Sequence, residues 1–167
     1  MTPTYSKKTA LFPGTFDPFT KGHYSIVQRG LCIFDEIVIA IGTNTKKHPM
    51  FTEAQRIEML QQIYANEPRV SIISYDGLTV DIARQHGAQF MLRGARSVID
   101  FEYEKSMSDV NRVISGLETI VLFTEPIYAH ISSSTVRELI CFGHEVSEFL
   151  PDGMILPERN DLNIPQK

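Results

Sequence analysis

The chain has 167 residues, a formal net charge of −4, and 43% hydrophobic against 22% charged residues. That is globular composition in the size range of one hydrophobic core, and it excludes disorder and fibrous repeats. The acidic balance also argues against a nucleic-acid partner, so any phosphate chemistry must rest on local cations. In chain order, residues 9–12 read as a short apolar strand, and Ile26, Val27, Gly30, Leu31 and Phe34 mark one face of a helix. Residues 36–42 (EIVIAIG) are apolar enough for a strand buried on both faces. Thr52, with Gln55 three residues on, forms a capping box for a helix whose apolar face is Ile57, Leu60, Ile63 and Tyr64. A strand over 70–75, a short helix over 80–86 and a strand over 89–92 follow. Tyr103, Met107, Val110 and Ile114 then mark a further helical face, residues 118–123 a fifth strand, and Val136, Leu139 and Ile140 a last helix.

This alternation predicts an α/β fold, a single-domain Rossmann-like doubly wound five-stranded parallel sheet with helices on both faces. The last eleven residues, with two prolines, are expected to form a polar surface segment. Cys32 and Cys141 lack metal-ligand spacing and are expected to be free, buried thiols. The longest aliphatic run, residues 37–41, is far shorter than the roughly 20 residues a membrane span needs. The first residues show no secretory leader, and a cytoplasmic location with no membrane partner is expected.

In a doubly wound sheet, ligands bind beyond the carboxyl ends of the strands. Four of the five strand ends carry phosphate-compatible residues: 13–23 (PGTFDPFTKGH), 46–49 (KKHP), 93–96 (RGAR) and 130–135 (HISSST). Gly14 permits close backbone approach, and Thr15 offers an amide and a hydroxyl. Thr20 is expected to cap a helix that carries Gly22 and His23 in its first turn, where amides and the helix dipole favour anions. Lys46 and Lys47 fit mobile phosphate partners, although adjacent lysines also form ordinary solvated surface. Arg93 and Arg96 flank Gly94, which leaves two readings: guanidinium groups on phosphate, or surface ion pairs with Asp100 or Glu102. The serines at 132–134 can cap a helix or cradle a phosphate. Glu104 is either solvated or a ribose acceptor, and Asp17 reads as a turn residue. No acidic or histidine cluster has the spacing of a permanent metal site.

Residues 14–23 resemble the first signature of the nucleotidyltransferase superfamily, and 131–138 (ISSSTVRE) its second. Residues 93–104 (RGARSVIDFEYE), with Lys47 shortly before 49–52 (PMFT), narrow the resemblance to bacterial phosphopantetheine adenylyltransferases. It runs in order over about residues 10–151. It implies adenylyl transfer from ATP to 4′-phosphopantetheine, giving dephospho-coenzyme A and pyrophosphate. By motif matching, His23 and Lys47 would be catalytic, aided by Arg96 in the transition state. Thr15, Phe16, His23, Gly94, Ala95, Arg96, Glu104, Tyr128, Ala129, His130, Ile131, Ser132, Ser133 and Ser134 would hold ATP. Thr15, Lys47, Thr79, Arg93, Asn111 and Glu138 would hold the acceptor. The resemblance further implies Mg²⁺ carried mainly on ATP phosphates, coenzyme A as a candidate inhibitor, and a homohexamer. Departures are Lys46-Lys47-His48 for the usual Ser-Lys-Lys, which leaves open which lysine acts, Ala95 for leucine, and Tyr128 for tryptophan. The alternative is an adenylyl- or cytidylyltransferase with another phosphorylated acceptor, such as nicotinate mononucleotide.

Overall fold

A computed structural model describes residues 7–43 and 48–164. Five strands, β1 (Thr9–Gly14), β2 (Glu36–Gly42), β3 (Val70–Tyr75), β4 (Phe90–Ala95) and β5 (Glu118–Phe123), form one parallel sheet in the order β3-β2-β1-β4-β5. Between and after them run α1 (Lys21–Gly30), α2 (Glu53–Tyr64), α3 (Thr79–Gln85), α4 (Val98–Ser115) and α5 (Ser133–Cys141). The order reverses between β1 and β4, which is the switch point of a doubly wound sheet.

Alternation along the strands sorts side chains to two faces. Phe12, Ile37, Ile39, Ile41 and Leu92 join Ile26, Val27, Leu60 and Tyr64 in the core beneath α1 and α2. Leu11, Val38, Ala40 and Met91 join Val80 and Ala83 beneath α3 on the other face. A third cluster gathers Met50, Phe51 and Met59 with Val136, Ile140 and Leu150. The capping box of α2 forms as expected: Thr52 Oγ1 accepts from the Gln55 amide at 3.3 Å, and Gln55 Oε1 accepts from the Thr52 amide at 2.8 Å.

Three sequence expectations are corrected, and one, the third below, is refined. First, β1 and β4 run longer than the apolar runs suggested, so Gly14, Arg93 and Gly94 lie within strands rather than after them. Second, Cys141 is half-buried and Cys32 exposed, in the turn after α1; both are free. Third, the C-terminal segment, exposed at residues 158–161 and 163, is anchored to the body of the protein by its apolar residues. Leu162 and Ile164 reach the third cluster, and Asn163 donates its amide to the Met50 carbonyl at 3.0 Å. Isolated apolar residues among polar ones hide that docking. Fourth, Tyr103, Met107, Val110 and Ile114 are exposed on α4 although their spacing marked a buried face.

Candidate active site

The ladder between β1 and β4 covers only the pairs Ala10↔Phe90 and Leu11↔Met91. Beyond them lie Pro13, which has no N–H to donate, and Arg93. The crevice at the carboxyl ends opens there. Two clefts meet in it. One, of about 550 Å³, is lined by Gly22, His23, Arg96 and residues 131–134. The other, of about 510 Å³, is lined by Thr43, Tyr75, Thr79, Met107 and Asn111. They share one wall: Pro13, Gly14, Thr15, Arg93, Tyr103 and Glu104.

His23 sits in the first turn of α1. Its Nδ1 accepts from the Thr20 amide at 3.0 Å, which leaves the proton of a neutral ring on Nε2. Phe16 meets the ring edge-on at 5.2 Å, Phe19 lies at 5.3 Å and Phe12 at 6.4 Å. Burial, with the Arg96 and Arg93 guanidinium groups nearby, lowers its pKa from 6.5 to about 4. At neutral pH His23 is therefore an uncharged Nε2–H donor in the cleft wall. Phe16, at φ 50°, folds its ring over Gly14, where an added Cβ would lie 2.7 Å from ring carbons. Gly14 thus makes room for Phe16 rather than for a ligand. Gly94 likewise faces Ile26, which a Cβ would meet at 3.1 Å, so it serves the packing of α1 on β4. Gly22 meets nothing nearer than Thr20 Oγ1 at 3.6 Å, which keeps open space at the start of α1.

The cations have partners. Arg93 Nε and Nη2 donate to the two Glu104 carboxylate oxygens, each at 2.7 Å, and Nη1 donates to the Pro13 carbonyl at 2.6 Å. Glu104, expected to be solvated or to accept from a ribose, is buried and is the ion-pair partner of Arg93. Arg96 pairs with Asp100 at 3.2 Å, and its Nη1 donates to the Ile131 carbonyl at 3.2 Å. The surface-pair reading therefore holds in part for Arg96, which still lines the cleft.

Each of the three serine hydroxyls has a partner. Ser132 Oγ accepts from the Thr135 amide at 3.0 Å, Ser133 Oγ donates to the Pro18 carbonyl at 2.8 Å, and Ser134 Oγ accepts from Arg137 Nη2 at 3.2 Å. Ser134 Oγ accepts and so keeps its own proton to donate, and phosphate binding at this helix start is open to that hydroxyl as well as to backbone amides. Thr79 lines the second cleft with its hydroxyl 3.1 Å from the Tyr75 hydroxyl. Tyr128, Ala129, His130 and Glu138 line neither cleft. Lys46 and Lys47 lie outside the described residues.

Sequence reasoning missed the frame beneath the site. Asp17, read as a turn residue, is buried and accepts from the Met50 and Phe51 amides at 3.0 and 2.9 Å. Arg137 Nη1 donates to the Asp17 carbonyl at 2.7 Å, which joins the two signature segments. Arg56 is buried on α2 and donates to the carbonyls of Thr15 at 2.7 Å and Gly42 at 3.2 Å. It ties the end of β1 to the end of β2. A signal existed: Arg56 stands three and four residues before Met59 and Leu60, on the buried face, where an isolated charge is costly.

The Cytidylyltransferase-like family matches residues 11–139. A phosphopantetheine adenylyltransferase of Phocaeicola vulgatus is 54% identical over 147 residues, covering 88% of this chain and 97% of that protein. One from Porphyromonas gingivalis is 52% identical over 150 residues, covering 90% and 98%. The chain belongs to the phosphopantetheine adenylyltransferase family. It is accordingly a nucleotidyltransferase. A solved bifunctional NMN adenylyltransferase/ADP ribose pyrophosphatase of Francisella tularensis, complexed with AMP and a manganese ion, superposes with a TM-score of 0.65. It is 16% identical and is covered over 44% of its own length, against 86% of this chain, so it supports the fold alone.

Proposed function

We propose that this chain transfers the adenylyl group of ATP to 4′-phosphopantetheine, releasing pyrophosphate and dephospho-coenzyme A, the penultimate step of coenzyme A synthesis. Family membership carries the reaction. The shared wall of the two clefts is the observation that carries its geometry, because two ligands must meet where the new phosphoanhydride bond forms. ATP takes the cleft of His23, Arg96 and residues 131–134, with Phe16 beside it; Ala95 is buried and lines neither cleft. The acceptor takes the cleft of Thr79 and Asn111, its phosphate at Thr15 and Arg93. Lys47 is assigned to both phosphates on its motif alone.

The nucleophile is a phosphate oxygen already ionised near neutral pH, so no protein base is needed. It attacks the α-phosphorus in line, and the bond to the pyrophosphate oxygen breaks. The chain's work is positioning and charge stabilisation. The His23 Nε2–H meets charge that grows on the α-phosphate oxygens, and Arg96 and Lys47 meet charge on the leaving pyrophosphate. A neutral donor with a fixed tautomer loses no proton to the substrate and needs no reorientation.

The two carboxylates lining the ATP-side cleft, Asp100 and Glu104, are both engaged by arginines. The chain's residues do not fit a protein-held metal there, and Mg²⁺ is proposed only as the ion that accompanies ATP. Coenzyme A differs from the product by one phosphate, so it would compete for both clefts. The exposed apolar face of α4, with Val110 and Val113, supports self-association, and a homohexamer in the cytoplasm is proposed from the family resemblance.

The test is pyrophosphate release by the full chain with ATP and Mg²⁺ and a panel of acceptors: 4′-phosphopantetheine, pantetheine and nicotinate mononucleotide. Release with 4′-phosphopantetheine alone is expected. Release with nicotinate mononucleotide in its place would overturn the assignment.

A further inference from the structure

We propose that Arg56 is a positioning residue for the reaction: by tying the Thr15 carbonyl to the end of β2, it fixes Thr15 on the wall shared by the two clefts, where the threonine amide and hydroxyl meet the acceptor phosphate. The proposal rests on the assignment of Thr15 to the 4′-phosphopantetheine phosphate given above.

β1 and β2 pair as far as Gly14↔Ile41, and Thr15 and Gly42 stand one step beyond that last pair. Arg56, from α2, reaches both. Its Nη1 donates to the Thr15 carbonyl at 2.7 Å and to the Gly42 carbonyl at 3.2 Å. A terminal guanidinium nitrogen carries two protons, one for each carbonyl, so the arginine carries the link between the strands past the end of their ladder. Arg56 is 3% exposed and lines neither cleft, so it acts through Thr15 and not on substrate. Thr15 is exposed, between the half-buried Gly14 and the buried Phe16, and it lines both clefts.

Thr15 needs such a hold because of its neighbour. Phe16 stands at φ 50°, a left-handed conformation that a bulky residue keeps only where its surroundings impose it. On one side its ring is fixed against Phe12 and Phe19, each at 5.3 Å, and His23 at 5.2 Å. On the other, the peptide that enters Phe16 is fixed through its carbonyl by Arg56. Releasing that carbonyl lets the turn relax towards ordinary backbone angles, and Thr15 moves while the Phe16 ring stays packed. A donor displaced by about an ångström from a phosphate oxygen loses most of its hydrogen bond. A buried guanidinium whose Nε has no partner among the described residues is, by contrast, a costly tie for stability alone.

Arg56→Lys keeps a cation on the same stem but loses the planar nitrogen that serves both carbonyls. Calorimetric titration of the wild type and of Arg56→Lys with 4′-phosphopantetheine, with pantetheine, which lacks the phosphate, and with ATP tests this. Arg56→Lys is expected to weaken 4′-phosphopantetheine by about tenfold, the size of one hydrogen bond to a charged group, and to leave pantetheine and ATP within about twofold. In steady-state kinetics KM for 4′-phosphopantetheine should rise with it while KM for ATP holds. In a Thr15→Val background, which already lacks the hydroxyl, the same substitution is expected to add no more than about threefold. Arg56→Gln keeps an N–H donor at shorter reach, and the same selective loss is expected of it should the lysine variant fold poorly. An equal loss for pantetheine, or a loss that simply adds to that of Thr15→Val, would reduce Arg56 to a structural tie and overturn the proposal. A loss confined to ATP would overturn it as well. If Arg56→Lys keeps the wild-type preference for the phosphorylated ligand, this inference alone fails. If the wild type shows no such preference, the assignment of Thr15 to the acceptor phosphate fails with it.

Discussion

His23 couples the site to stability through pH, and the size of the coupling follows from its surroundings. In the unfolded chain a histidine titrates near 6.5; in the folded protein this one titrates at about 4, because burial and the Arg96 and Arg93 guanidinium groups oppose its charge. Between those values the unfolded chain binds the proton and the folded chain does not. The contribution is therefore complete above pH 6.5 and is lost as pH falls towards 4. The loss amounts to about 2 kcal/mol by pH 5 and about 3 kcal/mol by pH 4. His23→Gln removes the titration and keeps an N–H donor. Urea unfolding of both proteins from pH 8 to pH 4.5 gives the difference in stability at each pH. That difference should decline by about 2 kcal/mol between pH 7 and pH 5. A flat difference would mean that His23 titrates in the folded protein as it does in the unfolded chain, which would contradict a ring held neutral by burial and the two arginines.

Two further outcomes follow from packing. Gly14→Ala places a methyl 2.7 Å from the Phe16 ring and should cost about 1–3 kcal/mol in chemical unfolding, with loss of activity as the wall behind His23 shifts; unchanged stability would contradict the close approach. Val110→Asp with Val113→Asp charges the exposed face of α4. In sedimentation the wild type should run at about six times the 18.9 kDa chain mass and the double variant as smaller species. An unaltered wild-type assembly would exclude α4 from the interface.

The strand and helix order was legible because short continuous apolar runs alternate with runs of period 3.6, and right-handed crossovers leave few ways to join them. Strand ends were less so. Pro13, Arg93 and Gly94 are not strand-like by composition, yet β1 and β4 pass through them because pairing with β2 and β5 continues. The α4 face misled for a related reason: periodicity reports that a face is apolar, not what covers it. In the site, His23 and the Arg93–Arg96 segment stood out as chemistry-bearing residues at strand ends. Their partners did not. Nothing local joins Arg93 to Glu104, Arg56 to the Thr15 carbonyl, or Asp17 to the Met50 and Phe51 amides, because those contacts exist only once the sheet brings separate elements together. Gly14 and Gly94 carried the opposite error, since a glycine beside a ligand-binding loop reads as room for the ligand when it is room for a side chain.

The division of labour between the two clefts is tested most directly by steady-state kinetics of His23→Ala and Arg93→Ala, with folding checked by circular dichroism. In the proposed mechanism His23 acts on charge that grows in the transition state, so its loss should lower kcat by about a hundredfold to a thousandfold and leave both KM values nearly unchanged. In the proposed assignment Arg93 holds the acceptor phosphate before and during reaction, so its loss should chiefly raise KM for 4′-phosphopantetheine, with KM for ATP unmoved. A near-normal kcat for His23→Ala, or a KM for ATP that rises with Arg93→Ala while that for the acceptor does not, would contradict the account.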